Sequence, residues 1–105
     1  MKIIMTQPVE KIIMNLDNHL KQKISRYINT LQIHGYEASM PLTRKMSNNL
    51  FELRITGSVQ VRIFYNLVNG EAWLIHAFVK TTQRTPKHHL KLATKRVKSL
   101  TENKL

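Results

Sequence analysis

The sequence predicts a single α+β domain spanning residues 1–105. Two N-terminal helices come first, then a three-stranded antiparallel sheet, then a C-terminal helix, and a short run at residues 2–5 offers a fourth strand. Three observations predict this. Apolar residues recur with the helical period as far as Leu31, switch to a period of two at Leu50, and return to the helical period after Pro86. Asn69-Gly70 is a strong hairpin signal, because a type I′ turn needs positive φ at both central positions. The chain of 105 residues is 42% hydrophobic and has only three Gly and three Pro, which suits one hydrophobic core and excludes disorder or a collagen-like repeat.

Each element has its own signal. Lys2-Ile3-Ile4-Met5 reads as a short strand. Thr6 and Pro8 mark a helix start, with a capping hydroxyl and a proline in the first turn. Val9, Ile12, Ile13 and Leu16 then fall on one helical face. Asp17 is a candidate N-cap for the second helix, whose apolar face is Leu20, Ile24, Tyr27, Ile28 and Leu31. Gly35 stops that helix and Pro41 marks a loop. Phe51, Leu53 and Ile55 alternate with Glu52, Arg54 and Thr56, which predicts a half-buried strand. Gly57-Ser58 turns the chain into a second strand with Val61, Ile63, Tyr65 and Leu67 on one face. After Asn69-Gly70 the third strand runs from about Glu71 to Val79. Thr85-Pro86 opens the last helix, with Leu90, Ala93, Val97 and Leu100 toward the core.

Charge narrows the function. Seventeen Lys and Arg against six Asp and Glu give +11, so the expected partner is a polyanion. The excess grows along the chain: five basic and three acidic residues in 1–40, six and two in 41–85, six and one in 86–105. The absence of Cys excludes disulfides, thiolate zinc sites and cysteine nucleophiles. The N-terminal apolar run is too short for a signal peptide, and the longest apolar stretch, Ala72 to Val79, is broken by His76. A cytoplasmic protein that does not associate with membranes is the expectation.

Several stretches form a recognisable set: NLFELRI (49–55), VRIFYNL (61–67) and LIHAFVKTTQRTP (74–86), with Ala93 and Arg96 on the following helix. Pro8-Val9 through Gly35 has the spacing of paired helices. Over most of its length the chain resembles toxins of the RelE/ParE superfamily, in the HigB-like branch related to phage proteins. The resemblance implies a curved antiparallel sheet packed on helices. It also implies metal-independent, cofactor-free endoribonuclease activity on mRNA at the ribosome, and neutralisation by a cognate helix-turn-helix antitoxin of the HigA-like kind. The chain departs from the pattern in three places. One of two basic positions on the strand matching FELRI is Glu52, leaving Arg54; the C-terminal Tyr of some members is replaced by Pro86-Lys87-His88-His89; and the N-terminal strand is reduced to KIIM.

Cleavage of this kind needs cations around the scissile phosphate, and arginine's planar fork suits phosphate oxygens. Strand pairing can bring Arg54 and Arg62 to one sheet surface, with Lys80 and Arg84 near the start of the last helix. These four and His76 are the candidate catalytic residues; the alternative is solvated surface charge for the cations, or a pair between Glu52 and one of Arg54 and Arg62, and a hydrogen-bonded core residue for His76. His88 and His89 project about 100° apart on a helix, so one of them at most faces the site. No metal site is expected from these histidines. Lys87, Lys91, Lys95 and Lys98 form a basic stripe on the last helix, and Arg44 and Lys45 precede the first meander strand, all six being candidates for RNA or ribosome binding. Trp73 and Tyr65 fit core packing better than base stacking. Two rival readings stay open: a non-catalytic nucleic-acid-binding protein, and a ParE-like toxin that poisons gyrase.

Overall fold

The shifts in hydrophobic period become helices, strands and a helix in the order β1 (Lys2–Met5), α1 (Gln7–Met14), α2 (Asn18–Ala38), β2 (Thr43–Ser47), β3 (Leu50–Ile55), β4 (Gln60–Val68), β5 (Glu71–Lys80) and α3 (Lys87–Asn103). The structure is a computed structural model describing residues 1–38, 42–47, 49–81 and 86–103. Among these residues the sheet has five strands in the order β1-β5-β4-β3-β2, where the sequence pattern predicts three or four. β1 pairs parallel to β5, with Ile3 opposite Ala72, and the other pairings are antiparallel. β2 is the strand that periodicity misses. Its sequence, TRKMS, has no apolar alternation, because its buried position is Thr43, whose hydroxyl bonds that of Tyr65.

Both faces of the sheet are covered, so β3 is more deeply buried than the half-buried strand its alternation predicts. On one face Phe51, Leu53, Ile55, Val61, Ile63 and Tyr65 pack with Val9 of α1 and with Leu20, Ile24 and Leu31 of α2. On the other, Leu50, Phe64, Ile75 and Phe78 pack with Ala93 of α3, joined by Leu90, Val97 and Leu100. A bulge sets which residues of β5 face α3. Phe64 pairs with His76 but Tyr65 pairs with Leu74, leaving Ile75 as the extra residue. Ile75 and His76 therefore both lie on the α3 side. Beyond the bulge the parity changes, and His76, Phe78 and Lys80 share that side.

Local signals hold in most places. The Asp17 carboxylate accepts from the Leu20 N–H at 2.9 Å, capping α2. Gly35, at φ 76°, breaks the helical backbone of α2. Asn69 and Gly70, at φ 51° and 76°, make the turn with two positive φ values. Thr6 departs from expectation: its hydroxyl makes no helix cap and donates to the Leu74 carbonyl at 2.6 Å, tying the start of α1 to β5. Ile12 lies largely outside the core face of α1, while Val9 and Ile13 pack inward. Pro41 and Thr85 lie outside the described residues. No helix among the described residues is long and apolar enough to cross a membrane.

Candidate functional site

On the α3 side of the sheet, beyond the apolar contact with α3, pairing register brings cations together. Arg44 stands opposite Glu52, Arg54 opposite Arg62, Arg62 opposite Phe78, and Gln60 opposite Lys80. The Glu52 carboxylate is the hub. Its Oε1 lies 3.7 Å from Arg44 Nη2, 3.9 Å from Arg62 Nε and 4.0 Å from Arg54 Nε. Glu52 and Arg62 are both almost completely buried, at 1% and 2% exposure. Arg62 is further fixed by donating from Nη1 to the Val61 carbonyl at 3.2 Å and from Nη2 to Gln60 Oε1 at 2.9 Å.

The electrostatics follow from crowding. Burial lowers the pKa of Arg62 from its ordinary value; Glu52 opposes that shift, and Arg54 and Arg44 add to it. Lys80 is lowered by desolvation first and then by Arg62, with smaller contributions from Arg54 and Arg44 and an opposing one from Glu52. One carboxylate thus sits among four cations, and the net positive charge of the cluster suits a phosphate.

Beside the cluster lies an aromatic and imidazole group. Phe78, the register partner of Arg62, is stacked against His89 of α3, with centroids 3.9 Å apart and the planes 5° from parallel. His76 is buried, and its Nε2 lies 2.8 Å from His89 Nδ1. Arg96 Nη1 lies 2.8 Å from His76 Nδ1 and also donates to the Ile75 carbonyl at 3.0 Å. Both ring nitrogens of His76 are therefore engaged. Burial, with Arg96 next, pushes His76 down to about 4, and burial also lowers His89.

The fold brings Arg54, Arg62 and Lys80 together and adds Arg44, which the sequence offered only as a binding residue. Lys45 pairs with Phe51 and points to the opposite side of the strand from Arg44. Lys87, Lys91, Lys95 and Lys98 are exposed along α3. Arg84 lies outside the described residues. Tyr65 is fully buried, and Trp73 packs partly buried on the α3 side while its indole donates to Glu71 at 3.2 Å. Among the described residues no cluster of three or more His, Asp or Glu could hold a metal ion.

Two parts of the site escaped the sequence reading. For Glu52 the sequence offered a pair with one arginine at most, and the carboxylate gathers three. Arg96 carried no assigned role, although its spacing was a usable signal. His89, Ala93 and Arg96 stand at i, i+4 and i+7, on the helix face that meets β5.

A family model described as phage derived protein Gp49-like (DUF891) matches residues 11–98, a span that contains the whole cluster together with His76, His89 and Arg96. No curated protein matches the chain.

Proposed function

The chain belongs to the phage-derived Gp49-like family, toxins of toxin–antitoxin systems in the RelE/HigB-like class, and from that premise we propose that it is a metal-independent endoribonuclease cutting mRNA on the ribosome. The observation that carries the reading is the convergence of Arg44, Arg54, Arg62 and Lys80 on one carboxylate. Binding an RNA backbone does not require convergence, since cations spread along a groove suffice. Stabilising one phosphate in its transition state does require it.

In this account the 2′-oxygen of one nucleotide attacks the adjacent phosphorus and passes its proton to solvent water, and the P–O5′ bond breaks. The products are a 2′,3′-cyclic phosphate and a 5′-hydroxyl. Charge grows on the non-bridging oxygens as phosphorus becomes five-coordinate, and the arginine forks of Arg54 and Arg62 meet it. Arg62 is held rigid by Val61, Gln60 and Glu52, so little reorganisation is needed when the charge appears. Lys80, made more acidic by desolvation and by Arg62, is assigned to protonating the leaving 5′-oxygen. Arg84 is retained as a fifth candidate cation. Lys87, Lys91, Lys95 and Lys98, with Lys45, are assigned to ribosomal RNA, and the cluster is the surface a HigA-like antitoxin covers or distorts.

Pulse expression in a bacterial host, followed by mapping of mRNA 5′ ends, tests the reading. New ends inside translated codons, carrying 5′-hydroxyls and lost when translation initiation is blocked, are the expected result. Growth arrest with intact mRNA and with cleaved DNA held on gyrase would move the protein to the gyrase-poisoning class.

A further inference from the structure

The protons in the Arg96–His76–His89 chain are determined by its first member. A guanidinium nitrogen donates and cannot accept. Arg96 Nη1, at 2.8 Å, therefore finds a lone pair on His76 Nδ1, and the proton of the neutral His76 ring sits on Nε2. That Nε2 lies 2.8 Å from His89 Nδ1, so it donates there and His89 Nδ1 accepts. His89 is left with its own proton on Nε2.

We propose that Arg96 and His76 are positioning residues that hold His89 as a neutral imidazole and present its Nε2–H as a fixed donor to an RNA phosphate oxygen. The proposal rests on the reading of the cluster as a phosphate site, and it assigns His89 the role of a donor rather than of an acid or base. An imidazolium at His89 needs a proton on Nδ1. That proton would face the Nε2–H of His76, and the conflict clears only if His76 moves its own proton to Nδ1, against Arg96.

The surroundings agree. The titratable and charged neighbours are His88 and Arg96 on α3 and His76 on β5: burial and then His88 disfavour a charge on His89, while burial, Arg96, His89 and His88 disfavour one on His76. The Phe78 face favours a cation above it, and burial together with His88 opposes it. Phe78 also fixes the ring plane, and its own register partner on β4 is the buried Arg62. A neutral imidazole there supplies a hydrogen bond without adding a further positive charge to an already crowded cluster.

The test uses the full chain labelled with ¹⁵N-histidine, followed through long-range ¹H–¹⁵N ring correlations from pH 5 to 8, beside single-turnover cleavage of ribosome-bound mRNA. In the wild type both His76 and His89 should appear as neutral Nε2–H tautomers at pH 7, with the His89 midpoint below the ordinary imidazole value of about 6.5, and the cleavage rate should show no His89 inflection near that value. Arg96→Met frees His76 Nδ1. The His89 midpoint should then rise toward the ordinary imidazole value of about 6.5, and cleavage should fall and acquire that inflection. His76→Phe, whose ring packs with Phe64 and Phe78, should do the same, which guards against a folding defect in the first variant. His89→Gln should cut more slowly than either. An Nδ1–H or imidazolium form of His89 at pH 7 in the wild type overturns the proposal, as do wild-type rate and pH profile in both Arg96→Met and His76→Phe. A wild-type protein with the expected spectra that cuts no RNA overturns the functional reading, and the use of His89 with it.

Discussion

Replacing Glu52 by Gln removes the one negative charge at the centre of the cluster while preserving its shape. The cost is dominated by Arg62. Its side chain is 3% exposed, the Glu52 side chain is 2% exposed, and Arg62 Nε stands 3.9 Å from the carboxylate oxygen. Coulomb's law at that distance, with an effective dielectric constant of about 20, gives about 4 kcal/mol. Breaking one side of a buried pair costs about 3–5 kcal/mol in practice, because the other charge is left uncompensated. The Arg44 and Arg54 side chains are 55% and 39% exposed, so their pairs contribute no more than about 1 kcal/mol each. Glu52→Gln should therefore lower the unfolding free energy by about 3–5 kcal/mol, measured by urea denaturation at pH 7. Domains of this size have about 5–15 kcal/mol in hand, so the variant still folds. Arg62→Met should cost a similar amount, but the double variant should be no worse than either single one, a coupling of about 3–5 kcal/mol. A loss below about 1 kcal/mol for Glu52→Gln, or strict additivity in the double variant, would refute the idea that the pair holds the site together.

Three other outcomes follow from the packing. Tyr65→Phe strands the buried Thr43 hydroxyl and should cost about 1–3 kcal/mol, largely recovered by adding Thr43→Val; additive losses in thermal melts would count against the hydroxyl pair. Because His76 is held neutral, with its pKa pushed down to about 4, it contributes stability that is fully present above about pH 6.5 and lost as pH falls toward 4. Unfolding measured across that window should show the loss in the wild type and a smaller one in His76→Phe, and equal slopes would contradict the assignment. Gly70→Ala meets no neighbouring atom within 4 Å, so its cost should be the backbone penalty of φ 76° alone, about 1–2 kcal/mol by urea titration; no loss would argue against the two-residue turn.

The parts of the fold that were legible are those in which one local rule dominates. Leu20 to Leu31 fixes the buried face of α2, Asp17 caps it, and Asn69-Gly70 needs a left-handed turn wherever it sits. β2 was illegible because its inward residue is a threonine paired to a tyrosine across the sheet, an interaction between residues far apart in sequence. The bulge at Ile75 leaves no mark in an apolar run, yet it decides that His76, Phe78 and Lys80 face the same helix as Ile75. Alternation places Glu52 opposite the core, where the sequence offers it at most a pair with one of Arg54 and Arg62. Its burial comes from three arginines arriving from β2, β3 and β4. Arg54, Arg62 and Lys80 could be read from strand parity, whereas the Arg96–His76–His89 chain depends on where α3 lands.

The central claim, that the converged cations stabilise a phosphate in flight, is tested most directly by single-turnover cleavage of ribosome-bound mRNA by Arg54→Ala and Lys80→Ala beside the wild type. Neither side chain is a buried member of the Glu52–Arg62 pair, so both variants should keep the wild-type circular dichroism and ribosome affinity. A preorganised donor lost from the transition state costs about 10²–10³ in rate, and each variant should slow by that order. Cleavage at the wild-type rate by both variants would contradict the account and place the chemistry elsewhere on the protein.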